Sequence, residues 1–140
     1  MKNILIDAGP MIALFDKKDT YHRSIVEFLP KIKDRLISSW PVITEVCYML
    51  SFSVNAQLDF LKWCERGAIR IEDIQEYELK SIISLTEKYS NVPMDLADST
   101  MVVLSERFNT AEIITIDSDY YIYRNMKKEM LKNIFMDHGN

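Results

Sequence analysis

Acidic side chains follow two apolar stretches of this chain, at points where strands are expected to end. Asp7 comes after Asn3–Ile6, and Asp117 comes after the β-branched run Glu112–Ile116. If both runs are strands of one parallel sheet, the two carboxylates lie at the same edge, where ligands of such sheets bind. Each acid could instead cap the helix that follows it, because Asp is a favoured N-cap residue and a helix N-terminus stabilises negative charge. From the residues alone, both interpretations stay open.

Three further acids lie on predicted helices. Asp95 and Asp98 stand three residues apart at the start of a helix, so both side chains can point toward one spot, although capping of that helix explains the pair too. Glu45 lies in the stretch Pro41–Leu50, where the only other polar side chains belong to a threonine and a tyrosine. A buried ionised Glu without a partner is costly, so this helix face meets water or the carboxylate meets a cation.

Carboxylates without a neighbouring set of His or Cys favour hard divalent cations over zinc. The sequence therefore points to Mg²⁺ or Mn²⁺ as the cofactor. An ion of this kind lowers the pKa of a bound water, and a second ion, about 3.5–4 Å away in two-metal sites, stabilises the leaving oxygen of a phosphodiester. In this scheme the carboxylates hold ions and need not attack the substrate themselves.

Strand and helix patterns alternate along the chain. Short apolar or β-branched runs predict strands at Asn3–Ile6, Leu36–Ser38, Ala68–Ile71, Glu112–Ile116 and Asn133–Met136. Helical spacing predicts helices at Met11–Phe15, Thr20–Leu29, Pro41–Phe52, Asn55–Arg66, Glu76–Tyr89, Asp95–Phe108 and Ser118–Tyr123. Asn55 is expected as an N-cap and Gly67 as the residue after the C-cap. The alternation predicts an α/β fold of three layers, α/β/α, around a mainly parallel, Rossmann-like central sheet.

The length of 140 residues and the 48% hydrophobic content predict one globular domain over residues 1–140, with a frayed tail at 137–140. Cys47 and Cys64 have neither the spacing of a zinc site nor the density of a disulfide scaffold, so we expect buried thiols in a reducing compartment. The apolar start is too short for a signal peptide, and no run approaches the roughly 20 residues that span a bilayer. We therefore expect a cytoplasmic protein without membrane association.

The net charge of −4 argues at first sight against a nucleic-acid partner, because affinity for phosphate comes largely from Lys and Arg. The objection weakens if the acids are concentrated at a metal site. Divalent ions bound there reverse the local charge and let an acidic protein meet phosphate.

Four segments, taken in order, resemble the PIN-domain family, which includes the VapC-like toxins of toxin–antitoxin pairs. They look like the family's opening strand and first acid, its helix-borne glutamate, and its third and fourth acidic motifs: Ile4–Leu14, Ile43–Val46, Met94–Ser99 and Ile114–Tyr120. The resemblance extends from the first strand to Arg124. It implies a Rossmann-like sheet, a divalent-metal site and ribonuclease activity, usually on structured or translational RNAs.

The resemblance also implies which acids act. The catalytic acids and core metal ligands are then Asp7, Glu45, Asp98 and Asp117. Asp95 is expected as a helper, and Asp119 could replace or assist Asp117. Two positions depart from the family: Gly9 stands where many members carry Ser or Thr, which removes a hydroxyl that could orient water or phosphate, and Tyr120 stands where Phe is common.

Basic residues near the acidic motifs are candidate phosphate contacts. Lys17 and Lys18 follow the first helix, His22 and Arg23 open the second, and a second cluster, Arg124, Lys127 and Lys128, follows Asp117. Of these, we expect Lys17, His22, Arg23 and Arg124 to bind substrate, although a solvated loop explains any one of them equally simply. Tyr120, Tyr121 and Tyr123 could stack on bases, with core packing as the alternative for at least one of them.

The leading hypothesis is a Mg²⁺- or Mn²⁺-dependent endoribonuclease that hydrolyses RNA. Its expected partners are an RNA substrate and an antitoxin protein. Apolar helices such as Val42–Phe52 exceed what one small domain covers, which suggests a homodimer or a groove for an antitoxin peptide. The alternative is a catalytically weak PIN domain that binds RNA or protein, motivated by Gly9. A receiver-like phosphoryl acceptor also places acids at strand ends, but it needs a paired acidic motif where this chain has the single Asp7.

Overall fold

The computed structural model describes residues 1–92, 94–117, 123 and 130–138. Its strands are β1 (Asn3–Ile6), β2 (Arg35–Ser39), β3 (Arg70–Glu72), β4 (Glu112–Ile114) and β5 (Lys132–Asn133). Its helices are α1 (Ala8–Phe15), α2 (His22–Phe28), α3 (Trp40–Met49), α4 (Val54–Glu65), α5 (Leu79–Lys88), α6 (Leu96–Arg107) and α7 (Ile134–His138). Short 3-10 turns at Leu29–Lys31 and Glu76–Glu78 extend α2 and precede α5.

The five strands form one parallel sheet in the order β3-β2-β1-β4-β5. The chain therefore adds β2 and β3 on one side of β1 and then returns to add β4 and β5 on the other side. In open parallel sheets, ligands bind at the carboxyl ends of the two strands where this reversal occurs. Here that position is the crevice between β1 and β4.

Helices cover the sheet, and the fold is the predicted three-layer α/β/α arrangement. β1 is a buried strand, since Ile4, Leu5 and Ile6 are almost inaccessible to solvent. Such a continuous apolar run suits a strand covered on both faces. α6 packs against β1 and β2 and is buried along most of its length, while α1 contacts α2, α3 and α4. The starts of α1, α3 and α6 are thereby fixed near one edge of the sheet.

The ends of α4 differ from expectation at one terminus and match it at the other. The N-cap is Ser53 and not Asn55, because the Ser53 hydroxyl accepts a hydrogen bond from the Ala56 amide at 3.2 Å. Gly67 does follow the C-cap, with a φ of 90° that favours glycine. Its amide and that of Ala68 donate back to the last turn of α4, which is the Schellman arrangement.

The predicted last strand, Asn133–Met136, is wrong beyond its first residue. β5 ends at Asn133, and the chain turns into α7 because the Asn133 side chain accepts hydrogen bonds from the amides of Phe135 and Met136. α7 includes positions 137 and 138, and the frayed tail at 137–140 stays a prediction. The helix predicted at Ser118–Tyr123 lies outside the described residues apart from Tyr123.

The two cysteines are free and half-buried, where full burial was predicted. Burial raises the pKa of both thiols, and that of Cys64 reaches about 11. A thiol with a raised pKa is a poor nucleophile, so neither cysteine fits a catalytic or metal-binding role. None of the described helices has the length and apolar character needed to cross a bilayer.

Candidate metal centre

Asp7 stands at the junction of β1 and α1, where the buried strand ends at the switch point of the sheet. Its amide donates to the carbonyl of Ile114 at 3.0 Å, which ties the end of β1 to the end of β4. Asp7 occupies the N-cap position of α1, but its side chain makes no capping hydrogen bond there. Its Oδ2 instead accepts a hydrogen bond from the Thr115 hydroxyl at 3.0 Å, and the residue is only 6% exposed. The simple capping interpretation therefore does not account for this carboxylate.

Asp98 is brought to the same place by the first turn of α6. Asp95 is the N-cap of this helix, and its Oδ1 accepts from the Asp98 amide at 2.8 Å. Asp98 Oδ2 accepts in return from the Asp95 amide at 3.3 Å, which completes a capping box. The capping interpretation is thus correct for both residues of the pair. Asp98 is buried, and its Oδ2 also lies 3.4 Å from the Tyr123 hydroxyl.

A pair of buried hydroxyls holds the start of α6 against β2. The Thr100 hydroxyl donates to the Ala97 carbonyl at 2.7 Å, so its oxygen is left to accept from the Ser39 hydroxyl, also at 2.7 Å. Ser39 is the last residue of β2, and both hydroxyls are inaccessible to solvent. This contact holds the first turns of α6 against the end of β2, and it thereby positions Asp98 at that edge of the sheet.

Asp117 is carried by the segment after β4, three residues beyond the end of the strand. The sequence predicted that the strand continues to Ile116, but the ladder stops at Ile114. Beyond that point the Asn133 side chain replaces the neighbouring strand: its Nδ2 donates to the Thr115 carbonyl at 2.9 Å, and its Oδ1 accepts from the Thr115 amide at 3.4 Å. The Thr115 hydroxyl then accepts from the Asp117 amide at 3.0 Å.

Asp7, Asp98 and Asp117 form a compact cluster. Each contributes a carboxylate oxygen, and these oxygens all lie within 4.8 Å of one another. Residues separated by up to 110 positions in the sequence are therefore brought together at the β1–β4 crevice. Glu45 does not belong to this tight cluster; it lies on α3 beside it, half-buried.

The electrostatics of the cluster favour a bound cation. Burial, with smaller contributions from Glu45 and Asp117, raises the pKa of Asp7 to about 7. Burial and the neighbouring Asp95 and Asp7 also raise the pKa of Asp98. The pKa of Glu45 is raised by burial and by repulsion from Asp95 and Asp117.

Among the described residues, no Lys or Arg forms an ion pair with Asp7. Buried carboxylates that repel one another are destabilising unless a proton or a cation compensates them. All the donors are carboxylate oxygens, the set that Mg²⁺ and Mn²⁺ prefer. The residues present therefore fit a hard divalent ion.

Two residues that organise the centre were missed by the sequence analysis. Thr115 links Asp7 to the Asp117 backbone, and Asn133 holds Thr115 from both sides. A threonine two residues before an acid was a usable signal, since its hydroxyl can bond the amide two positions on. Nothing local in the sequence connects Asn133 to a segment 18 residues earlier.

The predicted substrate residues that the structure describes, Lys17, His22 and Arg23, lie toward the far end of α1. α1 starts at the cluster and leads away from it over eight residues, about 12 Å of helix, so Lys17 and Lys18 are exposed beyond its far end. Arg23 is exposed on α2, and the half-buried His22 donates from Nδ1 to the Ala13 carbonyl at 2.7 Å.

The second basic cluster and the other acid of the last motif cannot be placed in the same way. Asp119, Tyr120, Tyr121, Arg124, Lys127 and Lys128 lie outside the described residues. Tyr123 is fully buried against Tyr89, with ring centroids 5.2 Å apart. It packs in the core and is not available for stacking on a base.

Comparison with known proteins agrees with this architecture. No family model matches the sequence. The chain is 27% identical over 120 residues to ribonuclease VapC26 of Mycobacterium tuberculosis, a match that covers 84% of this chain and 89% of that protein.

A solved structure shares the fold. The chain superposes on VapC20 of Mycobacterium tuberculosis, a toxin that cleaves the sarcin-ricin loop, with a TM-score of 0.76 and 14% identity, covering 83% of this chain and 91% of that one. At that identity the structural match supports the fold alone. In sequence the chain is similar to ribonuclease VapC26 and in fold it is similar to VapC20, so it resembles the VapC-like PIN domains.

Proposed function

We propose that this protein is a divalent-metal-dependent endoribonuclease that acts as the toxin of a toxin–antitoxin pair. The observation that carries the proposal is the set of three carboxylate oxygens, from Asp7, Asp98 and Asp117, within 4.8 Å of one another at the switch point of the sheet. The relative VapC26 is named a ribonuclease, and VapC20 is described as a toxin that cleaves an RNA loop. The chemistry of the site and the similarity to these two proteins therefore support the same reaction class, the cleavage of RNA.

In this proposal Asp7, Asp98 and Asp117 hold Mg²⁺ or Mn²⁺. When bound there, such an ion supplies Lewis acidity, which lowers the pKa of water and offsets the negative charge of a phosphodiester. The protein's own residues set the geometry: Thr115 fixes the orientation of Asp7 through its hydrogen bond, and the capping box fixes Asp98. The carboxylates act as ligands and are not the attacking groups.

Glu45 is proposed as the fourth catalytic acid. Burial raises its pKa, and repulsion from Asp95 and Asp117 raises it further, so Glu45 interacts electrostatically with the cluster although it lies outside the tight core. A half-buried carboxylate beside the cluster can take up a proton or complete the coordination of an ion. Asp95 supports the site mainly through its capping bond to Asp98, and Asp119 stays a proposed assistant of Asp117.

RNA is the proposed substrate, with its backbone extending over the start of the second helix. Lys17, His22 and Arg23 are proposed to contact phosphates away from the scissile one, since α1 separates them from the cluster. Arg124 is proposed to contact phosphate nearer the cluster, because it follows Asp117 by seven residues. Together these cations offset part of the net charge of −4 along the RNA path.

A catalytically weak binding module is the competing proposal, and the surroundings of Gly9 speak to it. A side chain at position 9 would bring its Cβ to 3.3 Å from the Ile116 Cβ, so Ile116 must shift slightly to admit a Ser or Thr there. The site nevertheless contains a hydroxyl, because that of Thr115 donates a hydrogen bond to the Asp7 carboxylate. The absence of a hydroxyl at position 9 is thus no reason to expect an inactive centre.

An exposed apolar patch supports the proposal of a protein partner. Large apolar side chains are exposed along the α3–α4 hairpin, namely Met49, Phe52, Val54, Leu58 and Leu61. Contiguous exposed apolar residues mark interaction surfaces. We propose that this patch forms a homodimer, and that the antitoxin expected for a VapC relative binds the toxin as a separate chain. Phe52→Glu should convert the dimer to a monomer by light scattering, whereas an unchanged mass would reject this interface.

The test of the activity is cleavage of structured RNA in defined metal conditions. Purified protein should cut ribosomal or transfer RNA in Mn²⁺ or Mg²⁺, and EDTA should stop the reaction. Asp7→Asn should lose cleavage while keeping its circular dichroism spectrum, whereas Asp59→Asn, an exposed acid on α4, should cleave as the natural protein does. Equal cleavage by Asp7→Asn, or cleavage undiminished by EDTA, would reject the mechanism. RNA binding without products at any Mn²⁺ concentration would favour the binding module.

A further inference from the structure

A groove lies between α3 and the start of α6, the helix that carries Asp98. It has a volume of about 660 Å³, which is within the usual range of small-ligand sites. Trp40 and Tyr48 of α3 line one side and Leu96 of α6 the other, and Glu45 and Asp95 also line the groove. The lining is therefore mainly apolar and aromatic, with two acids among it.

The apolar side chains of this groove are unusually accessible. Trp40 is 52% exposed and Tyr48 is 74% exposed, and Leu96 is also exposed. The other tryptophan, Trp63, instead packs against Phe15 and Phe60, with ring centroids 5.6 and 6.3 Å apart. Trp40 therefore presents an aromatic face to solvent that the fold does not use.

The groove is continuous with the proposed cleavage site. Extending the β1–β2 register places Asp7 opposite Ser39, so Trp40 begins α3 one residue beyond the level of the first acid. Adjacent strands lie about 4.8 Å apart. Glu45, on the groove border, interacts electrostatically with Asp117 of the cluster. An RNA that has a phosphate at the cluster can thus place a base in the groove about one nucleotide away.

We propose that the groove binds one unstacked nucleobase of the RNA, adjacent to the phosphate at the acidic cluster, and that this base stacks on Trp40. The proposal rests on the ribonuclease function proposed above. Proteins commonly recognise RNA by splaying out bases and stacking them on aromatic side chains.

The acids of the groove are compatible with such an occupant. The base itself carries no charge, and the phosphate stays at the cluster, where the cation offsets its charge. Carboxylates accept hydrogen bonds from the amino groups of adenine, cytosine and guanine, and Glu45 and Asp95 are among the residues that line the groove. The groove therefore supplies a stacking face together with hydrogen-bond acceptors.

The test uses the two tryptophans as separate reporters. Trp63→Phe leaves Trp40 as the single tryptophan, and Trp40→Phe leaves Trp63 as the matched control. Each variant is titrated with a short adenosine homopolymer RNA in Ca²⁺, with the RNA checked for integrity on a gel. A parallel titration uses an abasic oligomer of the same length, which keeps the phosphates and lacks the bases.

Stacking predicts saturable quenching of Trp40 fluorescence by the adenosine RNA and little quenching by the abasic oligomer. Trp63 fluorescence should stay constant in the control. In anisotropy measurements, Trp40→Ala should weaken RNA binding by roughly 5- to 150-fold, the range expected for one stacked base, whereas Trp40→Phe should keep most of the affinity. If Trp40→Ala does not fold, the abasic comparison on the Trp63→Phe variant still decides the matter.

Saturable RNA binding without quenching of Trp40, or an unchanged affinity in a folded Trp40→Ala variant, would overturn the proposal. A Trp40 emission that shifts to the blue with protein concentration in the absence of RNA would assign the groove to a second copy of the chain. Quenching by a basic apolar peptide but not by RNA would assign it to a protein partner. Cleavage separates the two proposals, because RNA cleavage without Trp40 quenching overturns only the groove, and quenching without metal-dependent cleavage overturns only the nuclease.

Discussion

The hydroxyl of Thr115 lies 3.0 Å from Oδ2 of Asp7, to which it donates a hydrogen bond, and it is inaccessible to solvent. The Thr115 hydroxyl oxygen also accepts a hydrogen bond from the Asp117 amide at 3.0 Å. One side chain therefore orients the first acid and the backbone of the last, across the crevice between β1 and β4. A centre whose ligands come from distant segments depends on such a link, because a ligand that is free to rotate binds a metal less well.

Replacing Thr115 with Val should weaken metal binding more than it changes the fold. Valine keeps the shape but removes the donor to Asp7 and the acceptor of the Asp117 amide, and a buried polar group left unpaired costs roughly 1–3 kcal/mol. We expect Mn²⁺ affinity to fall by about 10- to 100-fold, as for other residues that position metal ligands. Thr115→Ser keeps the hydroxyl and should stay close to the natural protein. Equal Mn²⁺ affinity in the Val and Ser variants would show that the hydroxyl has no positioning role.

The stability of the metal-free protein should decrease as the pH rises toward and through about 7. In the folded state the pKa of Asp7 is raised to about 7 from its ordinary value of 3.8, chiefly by burial, with Glu45 and Asp117 adding repulsion. Between these values the folded state holds a proton that the unfolded chain has lost, so the stabilisation is present at low pH and is lost as the pH increases.

Thermal denaturation in EDTA between pH 5 and 8.5 measures this effect. The melting temperature of the natural protein should drop over this interval, and Asp7→Asn should reduce the drop because the amide does not ionise. The exposed Asp59→Asn serves as the control and should follow the natural curve. A melting temperature of the Asp7→Asn variant that falls as steeply as that of the natural protein would contradict the assignment of this titration to Asp7.

Asn133→Ala should destabilise the protein and disturb the site together. The Asn133 side chain pairs with both the amide and the carbonyl of Thr115 and also accepts from the first amides of α7. Its loss leaves several buried backbone groups unpaired, at roughly 1–3 kcal/mol each. We expect the free energy of unfolding in urea to fall by at least about 2 kcal/mol. Asn55→Ala, at an exposed position on α4, should change the free energy of unfolding by no more than about 0.5 kcal/mol. A similarly small effect of Asn133→Ala would show that this side chain does not hold the segment after β4 and the start of α7 in place.

Gly9→Ser should lower the rate of RNA cleavage and not raise it. The new Cβ meets the Ile116 Cβ at 3.3 Å, and Ile116 directly precedes Asp117, so its displacement reaches the acid. Ile116→Ala removes the Cγ1 and Cδ1 atoms that lie 3.6 and 3.5 Å from that Cβ, and in the double variant it should restore part of the rate. Faster cleavage by Gly9→Ser alone would show that the missing hydroxyl does limit the reaction.

Much of the architecture could be predicted from the sequence because it depends on local patterns. The apolar run of β1 and the helical spacing of α3 to α6 are strong periodic signals, and the alternation of strands and helices implies a parallel sheet. The position of Asp7 followed from the same logic, since a buried parallel strand must end at the ligand-binding edge. For Asp98, the spacing from Asp95 indicated both a cap and a ligand, and the structure has Asp95 as the cap and Asp98 in the cluster.

The parts that could not be predicted depend on contacts between distant residues. β4 stops at Ile114 because the Asn133 side chain takes over the hydrogen bonds of Thr115, and that pairing leaves no trace in the strand's own composition. The same asparagine starts α7, where β-branched and aromatic residues had suggested a strand.

Direct measurement of Mn²⁺ binding tests the central claim, that Asp7, Asp98 and Asp117 act together as one metal centre. Titration calorimetry on the protein after EDTA treatment and dialysis should show saturable Mn²⁺ binding. Single Asn substitutions at each of the three positions should weaken that binding strongly, while Asp59→Asn should leave it unchanged. Mn²⁺ affinity that is equal in the natural protein and in all three variants would contradict the account, whatever the activity of the protein toward RNA.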